Sequence, residues 1–439
     1  MDILENISSL AKRRGFIYPG SDIYGGLSGT WDYGPLGVEL KRNLKESFWR
    51  SLIGDHGKFQ VVGIDAAILM NPKVWEASGH VQEFNDPLVE CYTCHHRFRA
   101  DHLESPKCPD CGGKLTEPKQ FNLLMETSLG AVAETKQKVY LRGEITQGTH
   151  VNFKNIMGST RVKVPFGVLQ IGKAFRNEIT PGQLSFRSRE FEQMEMQFYV
   201  RPDKKEADKW FEYWKEERMK WYLSLGFRKE NLRFRDHAKD ELAHYAQRAV
   251  DIEYQVTEGE WKEMEGIHHR GDWDLRRHQE FSKVNLEYFD EEAAERFIPW
   301  VIETSGGVDR ALLFFLMDAY REEKIKGDEE TRTVLKLSPK LAPYQIAVFP
   351  LLGNKEKLSD LAREIFDDLR SQFRVSWDDR GNIGKRYRYQ DEMGTMFCLT
   401  VDFESLTGKD LTVRYRDSME QVRVKIEDLP AYLAKQLGK

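Results

Sequence analysis

Two long segments in which apolar and polar residues alternate constrain the fold of this chain more than any other feature. They cover residues 168–179 and 189–200, and a short loop containing Pro and Gly joins them. Such alternation predicts two adjacent antiparallel strands with one apolar and one polar face. The polar faces carry Arg176 and Glu178 on the first segment and Glu195 on the second. We interpret the pair as the floor of a cleft for an anionic ligand, with a solvated sheet face as the alternative.

A third strand leads directly into a strongly apolar helix. In the predicted strand at residues 297–303 and just beyond it, Glu303 and Ser305 alternate onto one face, and two glycines follow. The apolar run 311–319 predicts a buried helix, whose first turn contains Arg310. A cation beside a helix N-terminus is well placed to bind phosphate.

Four cysteines form two closely spaced pairs. Each pair has the Cys-x-x-Cys spacing, which supplies four thiolates on tight turns and is typical of a closed, structural zinc site. Reduced cysteines without metal are the alternative, and we expect His95 and His96 to be bystanders. The fifth cysteine, Cys398, is expected to lie buried in a strand. The predicted zinc ligands are Cys91, Cys94, Cys108 and Cys111.

Composition excludes several classes of protein. The 439 residues are 40% hydrophobic and 12% aromatic, which is too apolar for a disordered chain. A net charge of −5 excludes a protein held on nucleic acid by bulk charge, although local basic patches remain possible. No apolar run is long enough to cross a bilayer, and the first residues lack the pattern of a signal peptide. We therefore expect a cytoplasmic protein with no membrane partner.

The order of the predicted elements indicates an α+β protein with two domains. We expect a large antiparallel-sheet domain at 1–335, with a cysteine-rich insert at 85–120 and a helical or α+β insertion at 200–260. The charged stretch 324–336 is the best linker candidate. Strands and helices alternate over residues 336–439, which predicts a small α/β domain with a largely parallel sheet. Its candidate basic patch for RNA consists of Arg380, Lys385, Arg386 and Arg388.

These residues together resemble the class II aminoacyl-tRNA synthetases. The segment Phe175-Arg-Asn-Glu178 with its following loop resembles motif 2, and Gly306-Gly-Val-Asp-Arg310 resembles motif 3. The helix, strand and proline of 40–72 resemble motif 1. More narrowly, the chain resembles the single-chain, homodimeric glycyl-tRNA synthetases. The segments that carry this narrower resemblance are Tyr33-Gly-Pro-Leu-Gly37, Ser78-Gly-His80, Gln120-Phe-Asn-Leu-Leu124, Arg189-Glu-Phe-Glu-Gln-Met-Glu195, Glu265-Gly-Ile267, Arg270-Gly-Asp-Trp-Asp274, Ile383-Gly-Lys-Arg-Tyr387 and Thr412-Val-Arg-Tyr-Arg-Asp-Ser418.

The resemblance implies ATP-dependent ligation of glycine to tRNA(Gly) through a glycyl-adenylate. Catalytic roles fall on Arg176 at the α-phosphate, on Glu178 at adenine and on Arg310 at the γ-phosphate. Glu263 would help to hold the Mg²⁺ that accompanies ATP. The complete set of implied ATP-binding residues is Arg176, Asn177, Glu178, Arg187, Phe191, Glu263 and Arg310.

For glycine, the resemblance implies a pocket charged at both ends. Arg270 would bind the carboxylate, while Glu195, Glu303 and Ser305 would surround the ammonium group and the Cα hydrogens. The complete set of implied glycine-binding residues is Arg142, Glu144, Glu195, Arg270, Glu303 and Ser305.

The family resemblance also implies an anticodon-binding domain at 336–439 and a homodimer. We expect the apolar stripe of the helix at 40–52 to supply the dimer interface. The chain departs from the family pattern at Gly143, Thr304 and Met396, where proline is common, and these changes affect loop rigidity rather than charged groups.

Two other functions stay open on the sequence. One is a class II synthetase for another small amino acid, against which the combination of Glu195 and Ser305 favours glycine. The other is a non-catalytic, nucleic-acid-binding accessory subunit, which would be expected to lose Arg176, Glu178 or Arg310. All three are present.

Overall fold

The structure is a computed structural model that describes residues 3–132, 135–182, 184–242, 246–325 and 330–438. The helices in these segments are α1 (Ile3–Arg14), α2 (Pro35–Leu52), α3 (Pro72–Ala77), α4 (His80–Glu83), α5 (Thr146–Val151), α6 (Phe153–Ser159), α7 (Lys204–Ser224), α8 (Trp273–Ser282), α9 (Val308–Ala319), α10 (Glu356–Leu369), α11 (Ile383–Met393), α12 (Ser405–Gly408) and α13 (Leu429–Leu437).

Strands account for most of the remaining regular structure. They are β1 (Ile17–Pro19), β2 (Trp31–Tyr33), β3 (Gly54–Asp55), β4 (Gln60–Gly63), β5 (Asn85–Glu90), β6 (Arg97–Arg99), β7 (Lys119–Asn122), β8 (Met125–Leu129), β9 (Gln137–Leu141), β10 (Phe166–Phe175), β11 (Glu190–Val200), β12 (Leu232–Asp236), β13 (Arg248–Thr257), β14 (Glu260–Gly271), β15 (Tyr288–Asp290), β16 (Glu295–Phe297), β17 (Trp300–Gly307), β18 (Tyr320–Lys324), β19 (Thr331–Leu335), β20 (Ile346–Pro350), β21 (Val375–Trp377), β22 (Phe397–Val401), β23 (Asp410–Tyr415) and β24 (Gln421–Lys425).

A central sheet of eight described strands organises the first part of the chain. Its order is β12-β13-β14-β17-β11-β10-β4-β3, and all neighbours are antiparallel except β10 and β4. Together with the smaller mixed sheet described below, this confirms the predicted α+β class. Shorter two-stranded ladders join β1 to β2, β8 to β9 and β15 to β16.

The two faces of the central sheet follow the alternation in the sequence. Met194, Met196 and Phe198 of β11 are fully buried and pack in the main core with side chains of α2, α7 and α9. The residues between them therefore face the other side of the sheet, because successive strand side chains alternate. Helices cover the apolar face, and the polar face is left as the wall of a cavity.

The strand predicted at residues 168–179 ends earlier in the structure than the sequence indicated. β10 stops at Phe175, so Arg176 and Glu178 lie just beyond it. The Arg176 amide still donates to the Arg189 carbonyl at 2.9 Å, and the Glu178 amide then turns back to the Arg176 carbonyl at 2.8 Å. The two charged side chains are consequently placed by a tight turn rather than by the flat sheet.

The apolar stripe of α2 lies in the core of its own chain. Leu40, Leu44, Phe48 and Leu52 are each at most 4% exposed and belong to the main core. The stripe is thus covered within its own chain and does not support the expected dimer interface, which stays a prediction for this helix. The period of four residues identifies a buried face without indicating what covers it.

The segment 200–260, predicted as an insertion, contributes to the central sheet itself. α7 packs on the apolar face, and β12 and β13 extend the sheet beyond β14. The segment is thus an integral part of the sheet, because hydrogen bonds along β13 and β14 join it to the strands at the centre.

The charged stretch predicted as a linker is largely a hairpin. β18 and β19 pair from Tyr320↔Leu335 to Lys324↔Thr331, while residues 326–329 of the predicted linker lie outside the described residues. Arg332 is buried and donates to Asp391 of α11 at 2.9 Å, and Arg414 of β23 binds the same carboxylate at 2.8 and 2.9 Å. The described part of this stretch is therefore a hairpin rather than an irregular linker, and Arg332 is held by a buried ion pair rather than by solvent.

A second sheet lies in the C-terminal part, with the order β21-β20-β22-β23-β24 and its own core beneath α10 and α13. β20 is parallel to β21 and β22, but β23 and β24 are antiparallel additions. The expectation of a largely parallel sheet therefore holds only for the part formed by β20, β21 and β22. In the candidate basic patch, Arg386 is 1% exposed and donates to the carbonyls of Pro350 and Leu351 at 2.6 and 2.9 Å. Its guanidinium is a structural group and not a surface cation.

The cysteine-rich segment forms a small three-stranded sheet in the order β6-β5-β7. Residues 85 and 122 pair at its base, where the segment leaves and rejoins the main body. Within the described segments, no helix combines the length and the apolar composition that a membrane span needs.

Candidate active site

A cavity of about 490 Å³ lies over the polar face of the central sheet. Side chains of β11, β14 and β17, the turn after β10, the first turn of α9 and the base of the cysteine-rich segment line it. Cationic side chains gather at one end and buried carboxylates at the other. The cavity therefore suits a ligand with a polyanionic part and a cationic part.

Arg176 projects from the turn after β10 between two aromatic rings. Its guanidinium carbon lies 5.1 Å from the centre of the Phe84 ring and 5.2 Å from that of Phe191. Its Nε donates to the Gly143 carbonyl at 3.1 Å. These partners hold the guanidinium without neutralising its charge, so the cation is available to an anionic ligand.

Glu178 follows in the same turn and is 7% exposed. One of its oxygens, Oε2, has no hydrogen-bond partner among the described residues, and the nearest cation is Arg187, whose Nε lies 3.8 Å away. Burial raises the pKa of Glu178, and the charges of Arg187 and Arg176 oppose this shift. A buried acceptor without a partner is costly in an empty site, which is typical of a group that a ligand completes.

Arg310 lies in the first turn of α9, which begins directly where β17 ends. Its guanidinium donates to the Glu263 carbonyl at 3.1 Å and lies 3.5 Å from the Glu263 carboxylate and 5.3 Å from the centre of the Phe186 ring. The Glu263 side chain is 54% exposed, so this pairing is weak and exchangeable. The helix start thus presents a cation and a solvent-accessible carboxylate side by side.

The neighbouring Asp309 anchors the start of α9. Its carboxylate accepts hydrogen bonds from the Tyr33 hydroxyl at 2.5 Å, the Lys41 ammonium at 2.6 Å and the Glu192 amide at 2.5 Å. Residues from α2 and β11 therefore fix the helix from which Arg310 projects.

Glu195 lies at the opposite end of the cavity, on the polar face of β11, and is 2% exposed. Neighbouring side chains donate hydrogen bonds to its carboxylate. The donors are Thr146 at 2.6 Å, Ser305 at 2.7 Å and Gln193 at 2.9 Å.

A second buried carboxylate, Glu303, lies beside it on β17. The Arg270 guanidinium contacts both Glu303 oxygens at 3.1 Å and binds Asp274 through two further hydrogen bonds at 2.8 and 3.0 Å. The ring of His268 lies 2.9 Å from Glu303. Arg270 is therefore engaged by two carboxylates in this structure.

The two carboxylates differ in their protonation. Burial, together with the charges of Glu303 and Glu144, raises the pKa of Glu195 to about 8. Burial also acts to raise the pKa of Glu303, but the charge of Arg270 and the hydrogen bond from His268 outweigh it and lower that pKa. Of the two carboxyls, Glu195 is therefore the one that more readily binds a proton, and a ligand cation would favour the release of that proton.

Comparison with known proteins identifies the family. The model of the tRNA synthetase class II core domain (G, H, P, S and T) matches residues 130–319, and that of the anticodon binding domain matches residues 345–436. A glycine–tRNA ligase of Treponema denticola is 51% identical, with 97% of this chain and 95% of that protein aligned. One from Geobacillus thermodenitrificans is 49% identical over 99% of this chain and 98% of that protein.

The chain belongs to the glycine–tRNA ligase family. A crystal structure of a prolyl-tRNA synthetase from Cryptosporidium parvum with L-proline and AMP has the same fold, with a TM-score of 0.68 at 17% identity. The structural alignment covers 98% of this chain and 74% of the prolyl-tRNA synthetase chain. The family membership agrees with the resemblance on which the site residues were predicted.

Most of the predicted site residues of this family member lie together around the one cavity. They come from segments more than 160 residues apart in the chain, and the fold joins them at the polar face of the central sheet. The predicted residues that line the cavity are Glu144, Arg176, Glu178, Arg187, Phe191, Glu195, Glu263, Arg270, Glu303, Ser305 and Arg310.

Arg142 and Asn177 do not line the cavity. Arg142 is 2% exposed and donates to the Lys173 and Ala66 carbonyls at 2.6 and 2.7 Å. A Cβ at Gly172 would lie 2.3 Å from its guanidinium, so the side chain packs directly against the β10 backbone at this glycine. Backbone carbonyls thus bind this cation in the structure, and a role of Arg142 in binding the amino acid stays a prediction. The backbone N–H of Asn177 donates to the Leu123 carbonyl at 2.8 Å, and this bond joins the turn to the end of the cysteine-rich segment.

Several residues of the site were missed by the sequence reasoning. His268 precedes Arg270 on the same face of β14, so strand alternation could have found it. Thr146 could not be found in this way, because only the tertiary fold brings it to Glu195. The same holds for Phe84, whose ring packs on Arg176.

The four predicted cysteines form a cluster outside the cavity. Their sulfurs all lie within 4.8 Å of one another, with 3.5 Å between Cys91 and Cys111 and 3.6 Å between Cys94 and Cys108. The neighbouring histidines turn to carboxylates instead, His95 to Glu90 and His96 to Asp110. Such a set of thiols could hold a metal ion.

Proposed function

We propose that this protein activates glycine with ATP and transfers it to tRNA(Gly). In the first step an oxygen of the glycine carboxylate attacks the α-phosphorus of ATP, and pyrophosphate leaves. In the second step a terminal hydroxyl of the tRNA attacks the carbonyl carbon of the adenylate, and AMP leaves. The observation that carries the proposal is the cavity itself, in which Arg176 and the weakly paired Arg310 lie apart from the buried carboxylates Glu195 and Glu303.

At the cationic end, Arg176 would bind the α-phosphate and Arg310 the γ-phosphate. Both guanidinium groups are held by carbonyl oxygens and aromatic rings in advance, so little reorganisation is needed when charge develops on the phosphate oxygens. The free oxygen of Glu178 is suited to accept a hydrogen bond from the adenine amino group, with Phe191 stacking on the ring and Arg187 closing the edge.

Glu263 fits the predicted role at Mg²⁺. Its carboxylate is half exposed, lies next to Arg310 and offers the hard oxygen ligand that Mg²⁺ prefers. The ion would neutralise charge on the triphosphate when ATP binds. Glu263 would then exchange its contact with Arg310 for the ion, leaving the guanidinium to the phosphate.

At the acidic end, Glu195 and Glu303 would bind the glycine ammonium group. The Ser305 and Thr146 hydroxyls hold the Glu195 carboxylate in place, so the closely lined pocket is suited to exclude a side chain on Cα. Arg270 was expected to bind the glycine carboxylate. Because two carboxylates engage it, we propose instead that it orients Glu303 and sets its charge.

The direct test is glycine-dependent ATP–pyrophosphate exchange, with alanine, serine and proline measured in parallel. We expect exchange with glycine alone, since selection in this site depends on the space beside the ammonium group. Exchange with one of the others instead would assign the chain to another small amino acid. No exchange in folded protein would favour the accessory-subunit alternative.

We further propose that the cysteine cluster holds a structural zinc ion. Four thiolates around zinc, each about 2.3 Å from it, lie about 3.8 Å apart. The distances between the two Cys-x-x-Cys pairs are close to this, at 3.5 Å for Cys91 and Cys111 and 3.6 Å for Cys94 and Cys108. With four protein ligands no position is left for water, so the ion would stabilise the fold of the segment. It would take no part in the reaction.

We expect the purified protein to contain about one zinc per chain, and Cys111→Ser to lose most of it, because three ligands bind far less tightly than four. Metal content measured by plasma mass spectrometry checks this. Cys398→Ala is the matched control, since this cysteine is buried in β22 away from the cluster. Equal zinc in all three proteins would refute the site.

The C-terminal body, which matches the anticodon binding domain, is the proposed contact for the tRNA anticodon. A homodimer is also proposed, although its support is no longer the stripe of α2. Large apolar side chains are exposed before and on that helix, namely Ile23, Tyr24, Leu27 and Val38. The mass of the protein in solution decides between one copy and two.

A further inference from the structure

Part of the cavity wall comes from the cysteine-rich segment rather than from the central sheet. The residues concerned lie at the base of its small sheet, on the side that faces the adenine end of the cavity. They are Glu83, Phe84, Asn85, Asp86 and Arg99. The segment proposed to hold the metal therefore also contributes Asn85, Asp86 and Arg99 to the wall of the proposed nucleotide site, next to Glu83 and Phe84 just before it.

Arg99 is the one cation that this segment contributes to the described cavity lining. Its guanidinium lies 2.9 Å from the buried carboxylate of Asp86 and donates to both oxygens of Asp101, at 3.1 and 2.7 Å. The Arg99 side chain is 18% exposed and that of Asp86 8%. The two hydrogen bonds to Asp101 fix the guanidinium plane, and the ion pair with Asp86 places its charge at the edge of the cavity.

The wall is joined to the catalytic turn by backbone hydrogen bonds. The Asn177 amide donates to the Leu123 carbonyl at 2.8 Å, and the Leu123 amide donates to the Phe84 carbonyl at 2.9 Å. The ring of Phe84 in turn packs on Arg176. Arg99 and Asp86 also act electrostatically on Glu178, Arg99 lowering its pKa and Asp86 raising it. A displacement of this wall would therefore change both the packing of Phe84 on Arg176 and the charges that act on Glu178.

The same wall is joined to the cysteine cluster through one short turn. β5 pairs with β6 so that Leu88 lies opposite Arg99, and the turn between the strands contains Cys91 and Cys94. The turn is closed by the Cys91 amide, which donates to the His96 carbonyl at 2.9 Å. Because β6 has only three residues, its position depends on this turn.

We propose that the Asp86–Arg99 pair is a positioning element of the nucleotide site and that the cysteine cluster keeps it in place. Arg99 acts through Asp86 and the charge it presents to Glu178, and the metal acts through the turn from Cys91 to His96. The inference rests on the proposed use of ATP by this cavity. It gives the metal a role in ATP binding without a part in the chemistry.

The test compares Arg99→Ala with Arg97→Ala, an exposed arginine on the same short strand that binds Glu90 outside the cavity. ATP binding by the full-length, zinc-loaded protein is measured by calorimetry, and KM values by pyrophosphate exchange. We expect Arg99→Ala to weaken ATP binding and raise KM for ATP about tenfold or more, with kcat and KM for glycine nearly unchanged, as is common when an outer partner of a binding group is removed. Arg99→Lys should recover part of the loss, and Arg97→Ala should match the parent.

Metal removal supplies the second arm. In metal-depleted protein, ATP binding should be weakened and Arg99→Ala should add little further, because both changes displace the same wall. Unchanged ATP affinity in Arg99→Ala, an equal loss for glycine, or additive effects of the two changes would each overturn the proposal. Asp86→Asn should also weaken ATP binding, because it removes the ion pair that places Arg99, although the two changes act on Glu178 in opposite directions. Unchanged ATP binding in Asp86→Asn would also overturn the proposal. Normal exchange with glycine in the parent protein keeps the proposed function independent of this outcome.

Discussion

Replacing Arg310 with alanine should lower the rate of ATP–pyrophosphate exchange about 10³-fold, because a fixed cation is lost where charge develops on the leaving phosphates. The Arg310 side chain is 28% exposed, and its partners are the carbonyl oxygen and the half-exposed carboxylate of Glu263. The protein should therefore fold normally without it. Affinity for tRNA(Gly), measured by filter binding, should change by less than about twofold, as for a partly exposed position outside the tRNA contact.

Arg321→Ala is the matched control for this experiment. Arg321 lies in β18, just after the C-terminal end of the same helix, and donates to the Asp318 and Tyr320 carbonyls away from the cavity. Its exchange rate should equal that of the parent protein. Arg310→Lys should fall between the two, since a point charge replaces the guanidinium fork. Equal losses of exchange and tRNA affinity in Arg310→Ala would show that the residue has another role.

Alternation along the strands was sufficient to predict the floor of the site. The sequence placed Arg176, Glu178 and Glu195 on one polar side, and the antiparallel register brings Glu195 opposite Ser305 as that pattern requires. A period of two residues determines the face on which a side chain lies, and this information is local. For Arg176 and Glu178, which lie beyond the end of β10, the tight turn and not the alternation sets the position of the side chains.

Contacts between distant segments could not be predicted in this way. Thr146 binds Glu195 across 49 residues of chain, and Arg332 binds Asp391 across 59. The charged residues around Arg332 were predicted to form a solvent-exposed linker, because composition cannot distinguish an exposed charge from a buried ion pair. The same holds for Arg142. A sequence motif identifies the residue, but it does not predict that its guanidinium donates to the carbonyls of Lys173 and Ala66.

Glu195→Gln should lower kcat/KM for glycine about 10² to 10³-fold, because a buried carboxylate that would bind the substrate ammonium becomes a neutral amide. Glutamine keeps the shape, but Ser305 and Thr146 donate to different Glu195 oxygens, so the amide oxygen can accept from only one of the two hydroxyls and the amide NH2 can donate to the other. KM for ATP should remain near that of the parent protein, since Glu195 lies at the opposite end of the cavity from Arg176 and Arg310. Pyrophosphate exchange at varied glycine and at varied ATP separates the two effects. Glu190→Gln is the matched control, an exposed residue of the same strand that pairs with Lys173.

The pH dependence gives this prediction a second and independent signature. In the empty site the pKa of Glu195 is about 8, so below that pH the carboxyl is protonated and must lose its proton when the glycine ammonium binds. KM for glycine in the parent protein should therefore fall as pH rises toward 8, by up to about tenfold per unit, and then level. Glu195→Gln has no such proton to release, and its KM for glycine should be flat across this range. A parent profile without this fall, or a variant that retains it, would show that a different group titrates when glycine binds, because the glutamine side chain does not ionise.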